Sequence, residues 1–288
     1  MNESTVTIPT AIRNADGVYE VEFDSIGHAM AVAAAVGRAA DYRSIKTVDR
    51  RSLQGTAWTN FITHKNVADL LRRPPVKLVA TVAEMKRRVE DCVESPVRHR
   101  RKIRHHQESG HELDPQAVLE RRADGWTDVE RVSVPKHVVT VGVNLAISGS
   151  KKPEDLIYRG AAAAAIADLL TQAGHSVEVV GFCASLKSAH GVDSMIMRVP
   201  LKRADAPLDM SSLCVAAAEI GFFRVVMIDC IGRVVPGEVS TGFGLPRTMT
   251  ENERAGVDVL IDSDVFSEES AVRVVRQAIT DFKKEDDR

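Results

Sequence analysis

Aromatic residues are scarce in this chain, at 5% of its length, so a core has to be assembled mainly from Ala, Val, Leu, Ile and Met. Net charge is nearly absent too. Lys and Arg balance Asp and Glu to −2, which gives no global pull toward nucleic acid or a membrane and leaves such binding to a local patch. Cysteine is rare and dispersed. Cys92, Cys183, Cys214 and Cys230 form no CxxC pair, and a reduced, cytosol-like compartment is the simplest reading. The most apolar stretch, Gly160 to Leu170, is short and carries Asp168, so no membrane span is expected. Met1 to Asp16 lacks an apolar segment of the secretory type, and a cytoplasmic location is expected. Nucleotide motifs are missing as well. There is no GxGxxG, and Gly142, Gly149, Ser150 and Lys151 do not reproduce GxxxxGK[ST].

What is present is the cadence of an α/β protein. At 288 residues the chain can bury a sizeable core in one or two domains. Residues 1–96 read as a smaller, mainly helical α+β region. Tyr19, Val21 and Phe23 alternate with Glu20, Glu22 and Asp24 as in a strand, and Ser25 can cap a helix running to Ala40. Gly55 marks a turn, a helix near Asn66 to Arg72 stops at Pro74 and Pro75, and Val82, Met85, Val89 and Val93 recur at helical spacing. Residues 97–131 read as a charged connector, with a short helix from Pro115 to Arg122.

Residues 132–288 read as the α/β domain. Val138 to Val143 is a buried strand, followed by an alanine-rich helix from Ile157 to Ala173 that Gly174 ends. Val177 to Phe182 and Ser194 to Val199 are strands that suit an antiparallel hairpin. Asp209 can cap a helix over Leu213 to Ile220. Val257 to Ile261 is a further strand and Ser267 to Phe282 a last helix, whereas Phe222 to Cys230 is ambiguous: Val225, Val226, Met227 and Ile228 favour a strand, with a continued helix as the alternative. The order predicts a mostly parallel sheet flanked by helices on both faces.

The loop from Asn144 to Ser150 occupies the place where such a domain binds ligands, the C-terminal edge of a strand. In position and length it resembles the metal loop of von Willebrand A-type domains, whose DxSxS pattern offers a carboxylate and two hydroxyls to a hard cation. Here those places hold Asn144, Ala146 and Ser148. An amide and a methyl cannot replace charged oxygen ligands, so a degenerate site without metal or other cofactor is expected. Asp262, Ser263, Asp264 and Val265 begin like the DxDx[TV] motif of phosphoryl-transferring aspartate enzymes, but Phe266 breaks it and only one helix follows. Capping of that helix by Asp264 or Ser267 is the simpler reading. His111 and Glu112 open like HExxH, but Pro115 stands where the second histidine belongs. His105, His106 and His111 lack companion ligands at a zinc-site spacing. No catalytic set emerges. Arg98, Arg100, Arg101, Lys102 and Arg104 remain as a local basic run able to neutralise phosphates, with no aromatic except His99 to stack on bases.

Several segments together resemble a family of unknown function found in actinobacteria and their phages. They are Arg98 to Arg104, then Gly110 to Asp114, Trp126, the Val138 strand, Arg159 to Ala161, and the helix ending at Ala173 and Gly174. Gly55 to Trp58 upstream and Leu201, Lys202 and Asp209 downstream extend the similarity, which covers the chain from about Ser52. The resemblance implies a von Willebrand A-like C-terminal half and contact with protein partners rather than catalysis. Nucleic acid, held by the basic run, is the alternative partner.

Overall fold

The computed structural model describes residues 6–36, 55, 57–73, 76–88, 99–107, 112–113, 115–123, 126–133, 138–148, 150–186, 194–234 and 245–286. β1 (Ile12–Arg13) and β2 (Tyr19–Glu22) lead into α1 (Ile26–Val36). The Ser25 hydroxyl caps α1 by accepting the His28 amide at 3.1 Å. α2 (His64–Arg72) and α3 (Val76–Arg87) flank the proline pair, so α3 starts earlier than the hydrophobic spacing suggested. Its expected continuation to Val93 lies outside the described residues.

The charged stretch is more than a connector. β3 (His99–Gln107), β4 (Glu112–Leu113) and β5 (Trp126–Ser133) form an antiparallel sheet in the order β3-β5-β4, with α4 (Pro115–Leu119) between β4 and β5. Charged residues along β3 and β5 hid the strands, because strand recognition from sequence rests on an apolar face that alternates.

The larger sheet contains β6 (Val138–Asn144), β7 (Ser176–Leu186), β8 (Ser194–Lys202), β9 (Leu245–Pro246) and β10 (Val259–Ile261). Its order is β1-β2-β8-β7-β6-β10, with β9 on β7. The sheet is mixed, which corrects the mostly parallel expectation. β6 is parallel to β7 and to β10, and β2 is parallel to β8. The β7–β8 hairpin, β1–β2 and β7–β9 are antiparallel. The pairing of β2 with β8 joins segments far apart in sequence, which no local pattern can announce.

The helices after β6 are α5 (Pro153–Gln172), α6 (Met210–Ala218), α7 (Ile228–Val234), α8 (Glu251–Arg254) and α9 (Glu268–Asp286). Asp209 caps α6 as expected, its carboxylate accepting the Ser212 amide and hydroxyl. Gly174 ends α5 with φ +89°, a conformation that favours glycine. Phe222–Met227 is a buried π-helix leading into α7, which settles that ambiguous run as helical.

Helices do not cover the two sheet faces equally. Val139, Val141 and Val143 of β6, Val177 and Val179 of β7, and Met195, Met197 and Val199 of β8 share one core with α1, α3, α5, α6, α7 and α9. The opposite face carries only a small cluster of Val18, Phe182, Ala184, Ile196 and Met249, beside half-exposed Thr140, Glu178 and Arg198. The larger sheet and these helices therefore form two layers, helices on sheet. α5 lies at the centre, with Ala161 to Ala165 fully buried. Asp168, its one acidic residue within the apolar stretch, pairs with Lys86 of α3. Among the described residues no helix is long and apolar enough to cross a membrane.

Candidate functional site

β6 hands the chain through α5 to β7 on one side, while β10 lies parallel on its other side. The C-terminal ends of β6 and β10 thus flank a topological switch point, where α/β sheets form a ligand crevice. Two candidates that looked separate in sequence meet there. Asn144 closes β6 and Asp262 follows β10, and the Asn144 Nδ2 donates to Asp262 Oδ1 at 2.8 Å. The Asn144 Oδ1 accepts the Ala146 amide at 3.0 Å. Both ends of this buried amide are therefore engaged within the protein. Asp262 Oδ1 also accepts the Ser263 amide, and Oδ2 stands 3.6 Å from Arg254 Nη2.

Two buried arginines brace the loop. Arg159, one turn and a half into α5, is 0% exposed, and its Nη1 donates to the carbonyls of Asn144 at 2.6 Å and Ala146 at 3.0 Å. Burial pulls its guanidinium down to about 10, although the Asp262 and Asp264 carboxylates pull the other way. Arg224 extends from the π-helix, and its Nη2 donates to the carbonyls of Ser148 and Lys151, each at 3.0 Å. Burial lowers it to about 10 as well. π-helical turns are rare and frequent at functional sites; here one carries Arg224, which reaches the loop. The Phe266 ring lies close to two cations, with Lys151 Nζ 4.2 Å and Arg159 Cζ 5.3 Å from its centre.

The remaining sequence candidates fall as follows. Ser148 is half-buried, and its Oγ lies 3.0 Å from the Ser150 Oγ. Gly149 lies outside the described residues. Asp264 is exposed and lines a groove of about 510 Å³ between β10 and α9. The cap of α9 is Ser267, whose hydroxyl accepts the Ser270 amide at 3.2 Å. Among the described residues no group of three or more His, Cys, Asp or Glu has the arrangement of a metal site. His111 and Arg98 lie outside the described residues. Arg100, Arg101, Lys102 and Arg104 fall on β3, where the register sets Lys102 opposite Glu130 and Arg104 opposite Asp128.

Arg159 and Arg224 are the residues that motif reading missed as site residues. A signal existed for Arg159, an arginine at the head of a helix otherwise built to be buried all round. Nothing comparable marked Arg224, because its role depends on the π-helix.

Fold and site together define an α/β protein whose switch-point loops are braced by buried guanidinium groups. The chain belongs to the family described as Domain of unknown function (DUF7192), whose model matches residues 4–286. No curated protein and no solved structure matches it.

Proposed function

We propose that this chain is a non-enzymatic interaction or assembly protein, acting in the cytoplasm of an actinobacterium or of a host infected by an actinobacterial phage. On this reading its C-terminal half is von Willebrand A-like with a degenerate metal loop at Asn144, Ala146 and Ser148, and its partners are proteins. The observation that supports this is the engagement of Asn144 with Asp262. An amide bonded at both ends and a carboxylate flanked by Asn144, Ser263 and Arg254 are poor candidates for general base, nucleophile or cation ligand.

Turnover assays with Mg²⁺ or Mn²⁺ on p-nitrophenyl phosphate and on plasmid DNA test it. The reading expects rates equal to buffer. Turnover that disappears in a folded Asp262→Asn variant would overturn it and restore the phosphoryl-transfer alternative.

Association with nucleic acid through Arg98, Arg100, Arg101, Lys102 and Arg104 is the second reading. Strand pairing supports it by setting residues 100, 102 and 104 at alternate positions, hence on one face. The same register sets Glu130 opposite Lys102 and Asp128 opposite Arg104.

A further inference from the structure

We propose that the crevice between the ends of β6 and β10 binds a small oxyanion, a phosphoryl or carboxylate group, with Arg159 as its floor and Phe266 as its cover. The inference goes beyond the interaction reading and does not depend on it. Its first support is an unmet demand. The Nη1 of Arg159 serves two carbonyls, but its Nε and Nη2 are shut away from solvent and have no hydrogen-bond partner. Buried polar groups are nearly always satisfied, and an orphaned charged donor is costly. A guanidinium offers its donors as a planar fork, and a carboxylate or phosphoryl group is the ligand that matches it.

The ring of Phe266 stands in for that ligand. It is half-buried in the turn between β10 and α9 and lies within cation–π reach of both Lys151 and Arg159. An aromatic face compensates a buried cation in part, but it accepts no directed hydrogen bond of full strength. Swinging the ring aside would present Lys151 and the Arg159 fork to one guest.

The local charge favours an anion. Arg159 and Arg224 hold the carbonyls of the loop at residues 144–151, Lys151 lies on Phe266 and Arg254 on Asp262, against the carboxylates of Asp155, Asp262 and Asp264. Asp262 is held by Asn144, Ser263 and Arg254, and Asp264 lies on the groove beside α9. The N-terminus of α5, a 20-residue helix, opens beside Ser148 and Ser150 and adds a positive dipole end. Asp155 already takes the Lys152 amide there at 3.0 Å, so the guest is assigned to Arg159 and Lys151 rather than to the helix end. Burial lowers the Arg159 guanidinium even though Asp262 and Asp264 act to raise it.

Titrating the full chain separately with inorganic phosphate and with acetate, followed by amide NMR shifts, tests the assignment. Saturable shifts on the Ser148–Lys151 and Asp262–Phe266 segments are expected, and the tighter of the two ions identifies the group. Phe266→Ala should tighten binding by about fivefold by uncovering the fork. Arg159→Lys keeps the charge but loses the fork and should weaken binding by about tenfold. If Arg159→Lys does not fold, Phe266→Ala and Lys151→Ala, which should weaken binding, carry the test. The proposal is overturned by absence of saturable shifts in both wild type and Phe266→Ala, or by affinities that these substitutions leave unchanged.

Discussion

Asn144→Asp alters one group in a buried site, and its cost can be worked from the geometry. Asn144 is 0% exposed and donates from Nδ2 to Asp262 Oδ1 across 2.8 Å. The substitution keeps the acceptor for the Ala146 amide and replaces that donor with a carboxyl oxygen, which can bond to Asp262 only while it holds a proton and repels it once ionised. Loss of a hydrogen bond to a charged group costs about 1.5–3 kcal/mol. Carboxylates this close cannot both ionise, so the introduced carboxyl is pushed up and keeps a proton. Arg159 and Arg254 offset part of the repulsion, and a net loss of about 2–4 kcal/mol at about pH 8 is expected.

The sign follows from linkage. A carboxyl raised in the folded state carries no penalty below its unfolded value, and the penalty grows as pH rises through the folded value. With roughly 2–4 °C per kcal/mol for a domain somewhat smaller than this one, Tm should fall by roughly 5–15 °C at about pH 8. At about pH 5 the fall should be much smaller. Thermal unfolding of both proteins across this range, followed by circular dichroism, measures the difference. A variant as stable as wild type at the higher pH, or a deficit that does not change with pH, would refute the Asn144–Asp262 reasoning.

Three further outcomes are expected. Gly160→Ala should destabilise by about 3 kcal/mol, measured by urea unfolding, because a Cβ at Gly160 would fall 2.3 Å from the Ala218 Cβ and 2.6 Å from its Cα. Glu219→Gln should gain stability over wild type as pH rises. Burial pushes the Glu219 carboxyl up, against hydrogen bonds from Asn60 and Gly221, so its contribution is present at low pH and lost through the folded value; paired melts at several pH values read this. Iodoacetamide should leave Cys183, Cys214 and Cys230 unlabelled in the native protein and label all three after denaturation, as peptide mass spectrometry can show. Burial pushes Cys183 and Cys214 up to about 12 and raises Cys230 as well.

Much of the α/β framework was legible because its signals are local. The β6 valines, the alanine helix with Gly174 behind it, the β7–β8 hairpin and the Ser25 and Asp209 caps depend on neighbours in sequence. The mixed sheet was not legible, since β2 reaches β8 only in the folded chain. The Phe222–Met227 run contains Val225 and Val226 and is buried on every side, so neither a period of two nor one of 3.6 could separate strand from helix. The site was half visible. Asn144, Ser148 and Asp262 occupy telling positions at strand ends, but their meeting requires β10 to settle beside β6. Arg159 and Arg224 act on main-chain carbonyls, and contacts of that kind leave no motif.

Arg159 and Arg224 brace the loop at residues 144–151 through its main-chain carbonyls, and on the proposed reading no metal ion takes part there. Isothermal titration of the wild-type chain with Mg²⁺ and then Mn²⁺ distinguishes the two cases. Heats indistinguishable from dilution are expected. Tight stoichiometric binding that is lost in Ser148→Ala or Asp262→Asn would contradict that reading.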